Sequence, residues 1–443
     1  MAETRARTSL HAHLFGPGPK RILSLDGGGV RGLLSCGVLG EIERRLQRRS
    51  GSADFRLCDY FDLIGGTSTG SIIAAALAMG RSVAEVSDLY RALAPRVFDA
   101  DGENAGIRKP RFDAENLERA LAQELGDHEL GSPALRTGFA VFAKRIDTGS
   151  AWTLTNNPNS AYWDGPEGGF PNKRFPIRNL VLASAAAPTF FEERCIRLVP
   201  EGEPIPPGAD ASGEFIDGGV AALNDPSLQL LKVATLAPYG FNWGAGDDRL
   251  MIISIGTGYW RPALNVDGEA RSWFERLAPV ASRAVFALQS MIHDASLSTL
   301  ATMQGLSAPP KPWRINSEIG DMAGARITPL PAMHFQRFDA RLDDDEEMRR
   351  IGVSYPPEEI EALKNMAAAD DISLAHLYEI GRSAGEDYFR RRADEPDWEQ
   401  AIFPARFDPE WFSGPPPGPP RSRIEAMSRI FSANPPKSKG KRN

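Results

Sequence analysis

The sequence predicts an α/β protein, a three-layer α/β/α arrangement around a mainly parallel central sheet with a helical C-terminal extension. Three observations carry that prediction. From about residue 20 to residue 260, short apolar runs ending in glycine turns alternate with helical patterns. One run, "LMIISI", is apolar at every position, as expected of a strand covered on both faces. From about residue 266 to residue 392 the pattern turns mostly helical.

Taken in order, residues 1–18 end in "GPG" and read as a flexible lead. "RILSLD" (21–26) is the first strand. "GGGVRG" turns it into a helix from about residue 33 to residue 47, whose "EIERRLQRR" gives a charged outer face. "FDLIGG" (61–66) is the second strand and "SIIAAALAMG" the helix after it. "TGFAVFAKRI" (137–146) is the third strand, before an Asn-, Pro- and Gly-rich loop over 155–172. "IRNLVLASAAAPTFF" (177–191) reads as a buried helix ended by Pro188, and "EFIDGGVAALNDP" (214–226) as a strand and turn. "SRAVFALQSMIHDASLSTL" and "ISLAHLYEIGRSAGEDYFRRR" are the clearest later helices. The expected division is a lead over 1–18, a catalytic domain over 19–340, a helical extension packed on it over 341–412, and a Pro-rich basic tail over 413–443.

Hydrophobic residues make up 42% of the 443, enough for a large core and too many for global disorder. Lys plus Arg is 51 against 58 Asp plus Glu, a net of −7, which argues against nucleic-acid binding. Cys36, Cys58 and Cys195 show no CxxC spacing, so a reducing compartment is expected, without disulfides or structural zinc. The amino terminus shows no apolar leader run, and no stretch of about 18 to 20 apolar residues occurs. A soluble, cytoplasmic protein is the expectation. Residues 414–443 hold seven Lys or Arg against one acid, Glu425. Ile424, Met427, Ile430 and Phe431 share a helical face there beside Arg423 and Arg429. That segment reads either as a disordered tail or as a peripheral contact with anionic lipid.

Gly66-Thr67-Ser68-Thr69-Gly70 matches G-x-S-x-G between a strand and a helix. A nucleophile in that setting occupies a strained turn that pushes its hydroxyl outward, so residues two before and two after it must be small. The positive helix N-terminus and the Thr69 N–H then favour an anionic transition state.

"LDGGGVRG" (25–32) exposes backbone N–H groups that converge on an anion. Two anions fit. As Gly27-x-Gly29-x-x-Gly32 it satisfies the dinucleotide fingerprint, making a nucleotide- or phosphate-binding module one reading. That reading needs an acid at the end of the second strand, where the serine elbow stands instead. The other reading is an oxyanion hole with Gly28 and Gly29 N–H as donors and Arg31 adding charge. It is favoured because the two loops would meet at adjacent strand ends.

A serine needs a base. Asp217, followed by Gly218 and Gly219, reads either as that base or as a turn aspartate bonding its own backbone, the commoner role of Asp-Gly. The order Ser68, Asp217, His293 would also supply an α/β-hydrolase triad, although His293 lies in a helical pattern. "LDDDEEM" (342–348) reads as a solvated helix start rather than a metal site.

The stretches D-G-G-G-x-R-G, G-T-S-T-G and D-G-G, in this order, resemble the patatin-like phospholipase family. "LASAAAPTFF" (182–191) and "SIGTG" (254–258) are similar to two further family segments. The resemblance implies a Ser68–Asp217 dyad with no catalytic histidine, and an oxyanion loop of Gly27, Gly28, Gly29 and Arg31. It implies hydrolysis of fatty-acyl esters in phospholipids or other lipids, with neither calcium nor another cofactor. On this reading Asp217 is the base, reversing what Asp-Gly alone suggests. One departure is Ser71, where many relatives place a further glycine.

Overall fold

A computed structural model describes residues 8–97, 114–165, 169–186, 194–199, 202–206, 209–262, 279–390 and 394–412. The expected helix end at Pro188 and the expected basic tail lie outside these residues.

Eight strands form one sheet: β1 (Lys20–Leu25), β2 (Leu63–Thr67), β3 (Gly138–Arg145), β4 (Ser150–Thr155), β5 (Arg194–Arg197), β6 (Ser212–Asp217), β7 (Leu250–Ile255) and β8 (His334–Phe338). The order is β5-β6-β3-β2-β1-β7-β8, with β4 also on β3. The run β3-β2-β1-β7-β8 is parallel, and the pairs involving β4, β5 and β6 are antiparallel. Every residue of β1, β2, β7 and β8 is buried, which requires cover on both faces. Adjacent glycines show that cover. A Cβ on Gly65 would meet Leu230 of the helix Ser227–Thr235, and one on Gly66 would meet Gly70 of the helix Thr69–Ala78.

β8 falls inside the region expected to be mostly helical. Its five buried residues include His334, Gln336 and Arg337, so polar letters hid a buried strand at the edge of the sheet. The helix Pro279–Gly305 and the helix Asp371–Phe389 lie where expected. The latter packs on the helix Gly32–Ser50, where a Cβ on Gly381 would collide with the Leu34 carbonyl. Thus a segment after β8 lies against the helix that follows β1.

Two expectations are corrected. The amino-terminal lead contains a helix, Leu10–Phe15, whose His13 Nδ1 lies 2.8 Å from Asp62 Oδ1 in a buried contact. Asp62 also receives Arg21 Nε at 2.8 Å, which anchors that helix to the amino end of β1. The "EIERRLQRR" face is also not wholly outward: Glu41 and Glu43 are buried. Glu43 accepts the Val83 N–H at 3.1 Å, and burial raises its carboxyl to about 7.

Candidate active site

Three turns converge at the carboxyl ends of the parallel strands, where open α/β sheets bind ligands. The first follows β2. Ser68 has φ 54° and ψ −126°, a conformation that a non-glycine residue adopts only under strain, and it directly precedes the helix Thr69–Ala78. A Cβ on Gly66 would overlap Gly70, and one on Gly70 would overlap the Leu25 carbonyl. The small residues around Ser68 are therefore a steric requirement of this turn. The Ser68 N–H donates to Ser184 Oγ at 2.8 Å, and Ser71 Oγ donates to the Ser68 carbonyl at 2.6 Å.

The second turn brings in Asp217, and strand register explains how. β2 pairs with Gly138–Phe142 of β3, ending at Thr67 opposite Phe142. β6 pairs with Ala143–Arg145 and ends at Asp217 opposite Ala143. β4 occupies the other edge of β3 from Ala140 to Arg145. β2 and β6 therefore share one edge of β3 and meet end to end, which sets Asp217 beside Ser68. The Asp217 N–H is held by the Ala186 carbonyl at 2.7 Å.

Asp217 is 7% exposed. Burial lifts its carboxyl to about 6, against hydrogen bonds from the Ser68 hydroxyl and the Gly219 N–H. The Gly219 N–H reaches Oδ1 at 2.7 Å. Asp217 thus bonds its own turn, as Asp-Gly alone suggests, and its carboxyl also feels the Ser68 hydroxyl. Gly218 has no room for a Cβ beside the Phe142 carbonyl.

The glycine loop follows β1, which pairs with β2 so that Leu25 lies opposite Gly66. A Cβ on Gly27 would sit 3.2 Å from Ser68 Cβ. Gly29 has φ 61°, and its carbonyl accepts Thr69 Oγ1 at 2.8 Å, tying this loop to the serine turn. The Gly27 N–H donates to the Asn224 carbonyl at 3.1 Å, and the Val30 N–H to that of Met366 at 3.0 Å. Gly27 thus belongs to the loop with its own N–H already engaged. Among the described residues, the N–H groups of Gly28, Gly29 and Thr69 donate to no protein acceptor, which leaves them open to an anion.

Arg31 is buried, donating to the Gly28 carbonyl at 3.3 Å and the Gly258 carbonyl at 3.2 Å, with its guanidinium 4.3 Å from the Trp260 ring centroid. Burial brings its pKa down to about 10, so it stays charged at neutral pH. It braces the loop through carbonyls.

His293 makes no hydrogen bond to Ser68 or Asp217. Its Nε2 lies 3.5 Å from the Tyr259 hydroxyl, whereas Asp217 faces Gly219 and Ser68. Asp344 caps the helix Asp345–Arg350, accepting the Glu346 and Glu347 N–H groups at 3.0 Å each. Among the described residues, no cluster of His, Cys, Asp or Glu is arranged to hold a metal. No described helix is long and apolar enough to cross a membrane.

Sequence reasoning missed two partners of the site, Ser184 and Asn224. Ser184 lay inside the quoted "LASAAAPTFF" and Asn224 inside "AALNDP", but no local pattern distinguishes a serine or asparagine that meets a distant turn.

Residues 23–231 match the family described as patatin-like phospholipase. The chain is 28% identical over 249 residues to patatin-17 of Solanum cardiophyllum, covering 54% of this chain and 60% of that protein. It is 32% identical over 220 residues to the cGAMP-activated phospholipase of Vibrio cholerae serotype O1, covering 47% and 56% respectively. The chain therefore spans less than two thirds of the length of these relatives. Human GIVD cytosolic phospholipase A2 superposes with a TM-score of 0.41 at 12% identity, covering 83% of this chain and 58% of that one.

Proposed function

We propose that this chain, whose residues 23–231 match the patatin-like phospholipase family, hydrolyses fatty-acyl esters of phospholipids or other lipids through a Ser68–Asp217 dyad, without calcium. One observation carries the reading: a strained serine at a helix N-terminus, set beside a buried carboxyl by strand register and near N–H groups that no described residue uses.

Asp217 accepts the Ser68 proton as Oγ attacks the ester carbonyl. The tetrahedral oxyanion is held by N–H groups of Gly28, Gly29 and Thr69, each worth about 3 kcal/mol of barrier. The leaving alcohol takes the proton back from Asp217, forming the acyl-enzyme. Water, deprotonated by the same carboxylate, then releases the fatty acid and frees Ser68. One group serves as base and acid in turn, which suits a carboxyl near 6.

The test is fatty-acid release from mixed phospholipid vesicles in the presence of a calcium chelator. Release by the wild type and none by Ser68→Ala is expected; equal release by both would remove Ser68 from the reaction. The basic segment 414–443 is part of the proposal as an electrostatic contact with anionic vesicles. Its deletion should weaken vesicle binding and leave hydrolysis of a soluble ester unchanged.

A further inference from the structure

Beneath the three turns lies a buried charge cluster centred on Arg337 of β8, outside the residues that match the family. Its Nη1 donates to Asp26 Oδ1 at 3.0 Å and to Ser254 Oγ at 2.8 Å. Its Nη2 donates to Asp26 Oδ2 at 2.7 Å and to Asp339 Oδ2 at 2.6 Å. Those four bonds use every Nη hydrogen, and Asp225 Oδ2 lies a further 3.5 Å from Nη1. Arg337, Asp26, Asp225 and Asp339 are all buried. Space for the guanidinium comes from register, because Ser254 stands opposite Arg337 on β7 and Ser24 opposite Ser254 on β1.

Each carboxylate leads to the glycine loop by its own route. Asp26 is the residue directly before Gly27. Asp225 follows Asn224, whose carbonyl accepts the Gly27 N–H at 3.1 Å. Asp339 Oδ1 accepts the Gly258 N–H at 2.9 Å, and the Gly258 carbonyl accepts Arg31 Nη1, whose Nε holds the Gly28 carbonyl. The turn after β7 is joined a second time, since Thr257 Oγ1 donates to the Gly27 carbonyl at 3.0 Å.

We propose that Arg337 is a positioning residue for the glycine loop, fixing through Asp26, Asp225 and Asp339 the direction in which the Gly28 and Gly29 N–H groups point. The inference rests on the proposed hydrolase reading for its consequence, although the brace itself is a matter of geometry. An oxyanion donor acts only if held in place before the charge develops, so a loop displaced by about 1 Å loses roughly 100-fold in rate without losing substrate. Lysine cannot replace this arginine. It keeps the charge but presents three donors from one nitrogen, where the cluster needs a planar fork between two carboxylates.

The test compares full-length wild type, Arg337→Lys and Arg21→Lys. Arg21 is the matched control, a buried arginine on the same strand as the loop but paired with Asp62 at its amino end. The readouts are Tm, kcat and KM on a soluble short-chain ester, and hydrogen exchange in a peptide spanning residues 26–34. Arg337→Lys should lower kcat about 10-fold to 100-fold with KM within about twofold, and should speed exchange in that peptide. Arg21→Lys should lower Tm and change neither kcat nor that exchange. If Arg337→Lys does not fold, Asp26→Asn tests the same arm, and the same loss of kcat and faster exchange are expected. Unchanged kcat and exchange in the folded variant would overturn the proposal. A wild type that hydrolyses no ester would remove the hydrolase reading, while the exchange comparison would still decide whether Arg337 braces the loop.

Discussion

The Ser184 hydroxyl accepts the Ser68 backbone N–H at 2.8 Å and donates to the Phe142 carbonyl at 2.5 Å. One side chain thereby fixes the strained serine to β3, the strand against which β6 ends at Asp217. Ser184→Ala leaves a buried carbonyl without its donor and the Ser68 N–H without its acceptor. We expect a stability loss of about 1–3 kcal/mol and a fall in kcat of about 10-fold to 100-fold. Denaturant unfolding and initial rates on a soluble ester check both, and an unchanged kcat would show that the turn holds itself.

Activity should follow the charge of Asp217. Burial places its carboxyl at about 6, and only the carboxylate can take the Ser68 proton. The rate kcat/KM should therefore rise about tenfold per pH unit below that value and level off above it. A profile already flat from pH 4.5 upward would mean that another group limits the reaction.

Asp217→Asn should abolish turnover while making the fold more stable at neutral pH. The folded-state value is raised from 3.8 to about 6, so the group favours folding while protonated and loses that contribution as pH rises through about 6. Keeping the carboxylate charged in the fold then costs up to about 3 kcal/mol. Asparagine stays neutral and can still accept the Gly219 N–H. The stability difference between variant and wild type should be near zero at pH 4 and largest at pH 8, as read by urea unfolding at both.

His293→Ala should leave ester hydrolysis within about twofold of wild type, because the ring meets Tyr259 rather than Ser68 or Asp217. Loss of turnover in a folded variant would restore the Ser–Asp–His triad. The comparison needs only steady-state rates and a circular dichroism spectrum.

Much of this site is legible along the chain. The G-x-S-x-G turn, the triple glycine and the Asp-Gly turn each sit directly after a strand, and their sterics are local: Gly66 and Gly70 crowd each other within one turn. Less visible were β8, whose buried Gln336 and Arg337 resemble surface residues, and the helix Leu10–Phe15, whose His13 is held by a distant aspartate. The buried Glu43 was hidden for the same reason, since its Val83 partner lies on another helix.

By itself the sequence determined the alternation of strands and helices, the strained serine and the glycines beside it, because spacing and side-chain size act within a few residues. Only the tertiary structure set Asp217 beside Ser68 and Arg337 against Asp26 at the start of the glycine loop. Both depend on register between strands far apart in the chain: β6 meets the end of β2 on one edge of β3, and β8 aligns Arg337 with Ser254. Local periodicity sets which face a residue takes, but register between distant strands follows from burying the whole sheet at once.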